Sequence, residues 1–480
     1  MKSNYIYNII YRLSICILPL VITPFSARVL GADGVGLYSL SSAVACYFIM
    51  FGKLGLEHYG SRTIAVCKDD PQKLRRTFWS IYSMQCITAV SSCLLYVAVI
   101  HLAFPGDILV YWMQGLYVLS ALFDISWYFF GTEQFRTTTL RSLFIRVLII
   151  AGMFIFVHTE DDLWLYTLIM SACFLLEQVL LLPFLLKQIK PIRVSWKEIR
   201  VHIRPNLKLF LPLAALSIYN WMDKLMLGLI SGNEPVAFYN YADSIINLPK
   251  GIIAALGTVM LPRLSRLAQQ KDYSALTHTL CSSMRFIMLI CCALCFGIAG
   301  VAPVFVPFFL GPGYSQTVML TIYLALVMIP MSVIDVIQTQ YLIPFGKENI
   351  YLRSVLLGAG VNLLLNALFI PGLQAVGAVI GTFGAQIAVC AYQLLHIRSI
   401  YPLRHLYTAV WPFFLCGMAE FCVAYALGTL GLSPIVTLLI QVCSAGCVYL
   451  ALSFVMVKWV QKDLQSILCL FSPQDKSSSS

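Results

Sequence analysis

Charged residues are scarce in this chain. Only 11% of its 480 residues are Asp, Glu, Lys or Arg, against roughly 25% in a soluble globular protein. Hydrophobic residues make up 60% of the chain, and the mean hydropathy is +0.83. This composition excludes an ordinary soluble protein, because too few polar side chains exist to cover a water-facing surface. We predict an integral membrane protein with many spans.

Motifs for catalysis, metal binding or phosphate binding are also missing. The sequence contains no HExxH, P-loop or G-x-S-x-G motif. Gly31, Gly34 and Gly36 follow no strand, so we interpret them as a tight turn at the outer end of the first helix. Cys292 and Cys295 lie in an apolar run without a second pair, which indicates packed helix residues. We expect no enzyme activity, no cofactor and no metal.

Apolar runs set the number of spans. A helix needs roughly 20 apolar residues to cross the hydrocarbon core. Continuous runs predict helices rather than a barrel, since backbone in lipid must satisfy its own hydrogen bonds. The first run continues into Arg28 and a second span, so we interpret it as a retained helix and not a signal peptide. The fourteen predicted spans are 7–29, 36–56, 77–102, 108–130, 140–158, 163–186, 208–231, 236–260, 284–309, 315–343, 350–371, 375–397, 407–429 and 434–457.

Positive charge is confined to every second connection. With the N-terminus placed inside, the inner segments hold 26 of the 32 Lys and Arg residues, and the outer turns hold none. This distribution follows the positive-inside rule. It explains the net charge of +11 without a nucleic-acid partner. We predict fourteen transmembrane helices with both termini in the cytoplasm.

A weak internal repeat accompanies this topology. Arg28-Val29-Leu30-Gly31 is echoed by Lys224-Leu225-Met226-Leu227-Gly228, and in both places an aromatic-rich apolar segment follows. The longest hydrophilic segment lies between the two copies. Such repeats are common in alternating-access transporters. We predict two six-helix lobes and two appended helices: an N-lobe at 1–186, a basic cytoplasmic linker at 187–207, a C-lobe at 208–397, and helices 13 and 14 with a tail at 398–480.

Six cations remain inside the predicted spans once the four within the first four residues of a span (Arg141, Lys208, Arg285 and Arg353) are counted with the inner segments. Arg12 and Lys53 lie near inner helix ends, where a long side chain can reach the headgroups. Lys224 and Lys250 lie deeper, roughly 20 Å from the inner face at 1.5 Å per residue. A charge at the bilayer centre costs at least about 2.5–3.5 kcal/mol, so each should face a cavity or a partner. The candidates for binding an anion are Arg28, Lys224, Lys250 and Arg146.

Acidic residues occur at similar depths. Asp243 and Lys250 share a helix face, but two turns separate them, which we judge too far for a direct pair. Acids and bases could neutralise one another in ion pairs that hold neighbouring helices together. Alternatively, the cations line a wet cavity for an anionic substrate while an acid exchanges a proton or sodium ion. The candidates for ion coupling are Asp223, Asp243, Asp124, Glu177 and Asp335, and Glu420 is a further buried acid.

Several motifs resemble one known family, the bacterial polysaccharide transporters of the multidrug/oligosaccharidyl-lipid/polysaccharide exporter superfamily. The likeness is strongest to O-antigen-type flippases. Ala237 departs from it, since a glycine is more usual there. The matching residues are Asn8, Tyr11, Pro19 to Pro24, Arg28 to Gly31, Gly36, Tyr38, Gly55-Leu56, Tyr59 to Arg62, Tyr219-Asn220, Asp223 to Gly228, Tyr239, Ala242 and Leu261 to Ser265.

The resemblance implies a flippase in the bacterial inner membrane. Its substrate would be an undecaprenyl-diphosphate-linked oligosaccharide, moved from the cytoplasmic to the outer leaflet by two lobes that rock around a cationic cavity. Membrane lipid surrounds it, and a polysaccharide polymerase or glycosyltransferases are candidate partners. A peptidoglycan lipid-precursor flippase and a drug/cation antiporter of the same superfamily remain alternatives. A membrane polymerase or ligase is disfavoured, because the outer turns are too short to hold catalytic groups.

Overall fold

The computed structural model of the chain describes residues 18–269, 273–398 and 403–458. These residues form helices with short connections, and no strand occurs among them, which confirms the predicted all-α class. The chain divides into two compact units, Met1–Asn240 and Tyr241–Ser480. Arg12, Asn8, Tyr11 and the C-terminal tail lie outside the described residues. The predicted lobes at 1–186 and 208–397 stay a prediction.

The first unit contains ten helices among the described residues and the start of an eleventh. A 3₁₀ turn, Glu160–Asp162, precedes α8. The helices are α1 (Leu18–Val29), α2 (Gly31–Lys53), α3 (Leu56–Cys67), α4 (Pro71–Ala103), α5 (Ile108–Phe123), α6 (Ser126–Gly131), α7 (Phe135–Phe156), α8 (Leu163–Val179), α9 (Leu182–Gln188), α10 (Trp196–Ser231) and α11 (Asn233–Gln269).

The second unit begins inside α11. Helices α12 and α16 pack along small residues: Gly300 lies against Ala424, and Gly417 against Phe296. A π-helix, Gln338–Leu342, follows α13 directly. The helices are α12 (Tyr273–Leu310), α13 (Ser315–Ile337), α14 (Glu348–Leu373), α15 (Ala375–Ile397), α16 (Leu403–Gly428) and α17 (Pro434–Met456).

Eleven helices among the described residues are long and apolar enough to cross a membrane. Five of them match the second to sixth predicted spans, which begin with 36–56 and end with 163–186. The other six match the ninth to fourteenth predicted spans, which begin with 284–309 and end with 434–457. The predicted spans at 208–231 and 236–260 are helical, within α10 and α11, but do not belong to these eleven. Of the first predicted span, the described part is the short helix α1. The chain is a multi-pass membrane protein, and the count of fourteen stays a prediction.

The glycine-rich stretch after α1 differs from the predicted turn. Gly31, with φ of +68°, makes the junction with α2, but Gly34 and Gly36 lie inside α2. A Cβ atom at Gly36 would overlap the Asn233 backbone. Gly36 therefore serves a close helix contact, whereas only Gly31 forms the bend, because only its backbone needs the left-handed region.

The predicted basic linker contains the first turns of α10. Ser195 and Glu198 cap this helix reciprocally: the Ser195 backbone N–H donates to Glu198 Oε2 at 2.7 Å. This bond, with the Ser195 hydroxyl, lowers the pKa of the Glu198 carboxyl. The Arg75 Nε donates to the Lys190 carbonyl at 2.8 Å, which ties the linker to α4. The non-helical part of the linker is therefore short and held in place.

Candidate functional site

Two consecutive residues of α10 bond to two consecutive residues of α11. Asp223 is buried and accepts a hydrogen bond from the Tyr239 hydroxyl at 2.7 Å. Lys224 donates to Asn240 Oδ1 at 2.7 Å. Each pair is 16 residues apart in the chain. The short connection at Gly232 folds α11 back along α10, so side chains at similar distances from the turn meet. A buried acid and a half-buried lysine thus lie next to each other, each oriented by a polar partner.

Glycines bring this pair of helices against α2. Gly228, one turn after Lys224, leaves room for Leu40 of α2, and a Cβ there would lie 2.5 Å from it. Gly36 does the same for Asn233 at the start of α11. Gly228 belongs to the repeated motif in the sequence, and Gly36 lies five residues after the first copy of that motif. The motif therefore packs α2 against the connection that carries Asp223 and Lys224.

Arg28 and Arg146 lie on other helices of the first unit. Arg28 is exposed in the last turn of α1. Arg146 lies three turns into α7, and its buried Nε atom has no hydrogen-bond partner among the described residues. Lys224 is on α10, so the three predicted cations of this unit come from three helices. Their joint role in one cavity stays a prediction.

Lys53 does not reach for the headgroups as expected. It forms an ion pair with Asp124, the residue at which α5 ends. Asp124 Oδ1 also accepts from the Ser126 backbone at 3.0 Å and from the Ser126 hydroxyl at 2.6 Å. These local bonds turn the chain between α5 and α6. The carboxylate left buried at this break attracts Lys53. The expectation that Lys53 extends to the lipid headgroups was therefore wrong.

A second buried ion pair involves Arg141, which the sequence predicts to be a loop cation at the inner end of the span 140–158. Arg141 lies inside α7, and its Nη2 contacts Glu177 Oε1 at 3.2 Å. The Ser142 hydroxyl donates to the same oxygen at 2.6 Å. The Arg141 side chain is only 7% exposed. The signal available in the sequence was its position beside a serine at the start of an apolar run, facing a glutamate on the next span.

In the second unit, Lys250 pairs with Asp243 after all. The Lys250 Nζ lies 3.5 Å from Asp243 Oδ1, and 3.5 Å from the Asn247 side-chain oxygen. Their separation of two turns predicts no direct contact, and that prediction is wrong. Helix side chains tilt toward the N-terminus, however, and the four-carbon stem of Lys250 extends back along the helix to Asp243. Both side chains remain about one-fifth exposed, at 20% and 22%.

Asp335 lies near the same lysine. It interacts electrostatically with Lys250 and sits on the last turn of α13, just before the π-helix. The Thr339 hydroxyl, inside the π-helix, donates to the Asp335 carbonyl at 2.6 Å. Widened turns of this kind are frequent at functional sites. Of the predicted set, the structure therefore pairs Lys250 with Asp243 and leaves Asp335 within electrostatic reach of that lysine.

Glu420 is a buried acid of α16. It is 5% exposed, and its Oε2 atom has no hydrogen-bond partner in the described part of the chain. Gly297 of α12 leaves the space that Glu420 Oε1 occupies. Cys292 and Cys295 are buried on the same helix. This acid fills a helix contact between α16 and α12.

A family model described as "Polysaccharide biosynthesis protein" matches residues 1–268. A protein of Escherichia coli (strain K12) named "Putative O-antigen transporter" is 23% identical over 404 residues, covering 83% of this chain and 97% of that protein. A second protein of that name, from Shigella dysenteriae, is 23% identical over 406 residues, 83% of this chain and all of that protein.

Solved structures are similar in fold. The lipid II flippase MurJ, in an inward closed conformation, has a TM-score of 0.77 at 14% identity, covering 95% of this chain and 99% of that one. An inward-facing multidrug resistance MATE family transporter has a TM-score of 0.61 at 15% identity, covering 82% of this chain and 94% of that one. Because the family model matches more than half of the chain, the protein belongs to the polysaccharide biosynthesis protein family, with the fold of MOP-superfamily transporters.

Proposed function

We propose that this protein moves an undecaprenyl-diphosphate-linked oligosaccharide, an O-antigen-like repeat unit, from the cytoplasmic to the outer leaflet by alternating access. Neither a diphosphate nor a sugar crosses hydrocarbon unaided, because both are strongly hydrated. The family match and the similarity to proteins named as O-antigen transporters support this substrate class. The protein acts as a transporter in the bacterial inner membrane, with both termini in the cytoplasm.

The observation that carries the proposal is the polar pair at Asp223 and Lys224. Lys224 is held by Asn240, and Asp223 by Tyr239, deep in a predicted span. A lysine at that depth is costly unless it has a ligand or partner to hold. As a compact charge with three donors, it suits a diphosphate oxygen. Arg28, Arg146 and Lys250 are the further cations that we assign to the substrate path.

Ion coupling would act in the second unit. Asp243 and Asp335 both interact with Lys250. A proton or sodium ion bound by either acid would weaken its hold on Lys250 and leave the lysine's charge for the substrate diphosphate. Asp223, Asp124 and Glu177 are the other candidates, and the last two already neutralise a cation. We therefore place coupling first at Asp243 and Asp335.

A peptidoglycan lipid precursor is the second candidate substrate. The fold similarity to the lipid II flippase extends over 95% of this chain. That precursor shares the prenyl diphosphate and differs in its headgroup. A drug/cation antiporter is less consistent with Lys224 and Lys250, because a cationic site repels cationic drugs. The polymerase and the glycosyltransferases that would use or supply the lipid-linked sugar are the expected partners.

The test is translocation by purified protein in liposomes. The liposomes would contain lipid-linked oligosaccharide isolated from a polymerase-deficient strain of the host, or lipid II in parallel. The sugar exposed on the far side would be measured with an impermeant lectin. We expect the wild type and Lys187→Ala, a variant that loses an exposed cation, to move the oligosaccharide, and Lys224→Ala to fail. Transport of lipid II alone would assign the second function.

A further inference from the structure

A small pocket opens in the first unit between α2, α5 and α10. Its walls include Lys53 of α2, Glu57 and His58 of α3, Tyr117 of α5, and Trp221 of α10. Its volume is about 260 Å³, just below the roughly 300–1,000 Å³ of pockets for drug-sized ligands. It can accept one ring-sized group and not a whole oligosaccharide.

Paired aromatic residues build the wall between α2 and α10. Tyr47 contacts Trp221 with ring centroids 5.8 Å apart, and Phe51 contacts Phe210 at 5.9 Å. The first pair is edge to face, so Tyr47 fixes the orientation of the Trp221 ring. Tyr117 faces the pocket from α5. The aliphatic faces of a sugar ring stack on aromatic surfaces of this kind, while its hydroxyls need polar groups at the edge.

The charges around the pocket suit a neutral polar group better than an anion. Lys53, the lysine in the wall, is already paired with Asp124. Glu57 adds a negative charge at the rim. A diphosphate would meet this acid and compete with Asp124 for Lys53. Sugar hydroxyls, by contrast, can donate to the Glu57 carboxylate and accept from Lys53 without displacing Asp124.

The pocket also adjoins the proposed diphosphate site. Trp221 and Lys224 are three residues apart on α10, so they are neighbours on one face of the helix. Their separation along the axis is about 4.5 Å. A sugar joined directly to a diphosphate requires this arrangement: an aromatic pocket beside a cation.

We infer that this pocket binds the first sugar of the lipid-linked oligosaccharide, the ring attached to the diphosphate, and that Trp221 is its specificity-determining residue. The inference rests on the proposed function and deepens it. Recognition of the first sugar lets the protein distinguish a glycosylated lipid from the bare lipid carrier. The remaining sugars lie outside the pocket and contribute less to selection.

The test compares lipids with and without that sugar. Purified full-length protein in lipid nanodiscs would be titrated with undecaprenyl diphosphate, and with the same lipid carrying one N-acetylglucosamine or one galactose. We expect the wild type to bind at least one sugar-bearing probe about tenfold more tightly than the bare lipid. Trp221→Ala should lose this preference and Trp221→Phe should keep it. Trp112→Ala removes an exposed Trp of α5 and is the matched control.

The outcomes separate the inference from the proposed function. A preference that survives in Trp221→Ala would overturn the inference, as would a wild type that binds all three probes equally. Equal weakening of all three probes by Trp221→Ala would assign the pocket to the diphosphate and overturn the sugar assignment. A wild type that binds none of the lipids would overturn the proposed function together with the inference.

Discussion

Lys53 and Asp124 form an ion pair that joins the C-terminal end of α2 to the break between α5 and α6. The Asp124 side chain is 10% exposed and that of Lys53 is 33% exposed. Removing one partner leaves the other charge in a poorly hydrated place, which costs more than removing both. The pair therefore stabilises the contact between α2 and the α5–α6 break at the wall of the sugar pocket.

We expect Lys53→Met and Asp124→Asn each to lower the melting temperature of the purified protein. The double variant should recover part of the loss, because it leaves no unpaired charge. Thermal unfolding in detergent, followed by intrinsic fluorescence, measures the difference. Simple addition of the two single effects would show that the ion pair does not couple these helices.

Gly36→Ala should destabilise the protein strongly, while Gly34→Ala should be nearly neutral. A Cβ at Gly36 would overlap the Asn233 backbone, whereas one at Gly34 meets only side chains at 3.5 Å and beyond. Overpacking of this kind costs about 1–3 kcal/mol. Both variants lie in one helix, so propensity effects cancel. Equal melting temperatures for the two would contradict the close contact of α2 with α11.

Lys224→Ala should abolish surface polysaccharide in cells without affecting membrane insertion. The charge and the bond to Asn240 are both lost in this variant. Lys224→Arg keeps the charge and should retain partial function. Polysaccharide on gels and protein in membrane fractions are the two measurements. Wild-type polysaccharide in Lys224→Ala would argue against a role for this lysine in the substrate path.

Arg141→Ala should be more harmful than the double variant Arg141→Leu with Glu177→Leu. The single change leaves Glu177 charged, with Ser142 as its close donor among the described residues, whereas the double change removes the buried pair entirely. The yield of monodisperse protein after detergent extraction would rank the variants. If the yield of the double variant is no higher than that of Arg141→Ala, the unpaired charge is not the cause of the loss, and the two side chains matter for their packing instead.

A reporter fused after Glu234 should lie outside, and one fused at Lys197 inside. This expectation follows from the absence of Lys and Arg in the predicted outer turns. Paired phosphatase and fluorescent-protein fusions give opposite signals on the two sides. Reversed signals would invert the topology and with it the direction proposed for transport.

Much of the fold could be predicted because hydropathy and charge are local properties of the chain. The eleven apolar spans appear where continuous runs predict them. Helix breaks were harder to predict. The break at Asp124 depends on hydrogen bonds to Ser126, and that at Leu180 lies inside an unbroken apolar run. Neither interrupts the hydropathy pattern.

The candidate site was predictable only in its residue types. Depth in a span identified Lys224, Lys250 and Asp335 as unusual. Their partners depend on which helix faces which, so the bond from Lys224 to Asn240 could not be read from the sequence. Arg141 was missed because its helix begins at Phe135, several residues earlier than hydropathy indicates.

One continuous helix, α10, carries the capping box of Ser195 at one end and Lys224 near the other. At 1.5 Å per residue its 36 residues extend about 54 Å, well beyond a hydrocarbon core of about 30 Å. A helix of this length works as a lever arm that can bend at Pro205 and Pro212. A small tilt near Lys224 becomes a larger sweep at Trp196. A spectroscopic label on the exposed Lys197 would therefore magnify motions of the binding region into displacements that are easy to measure.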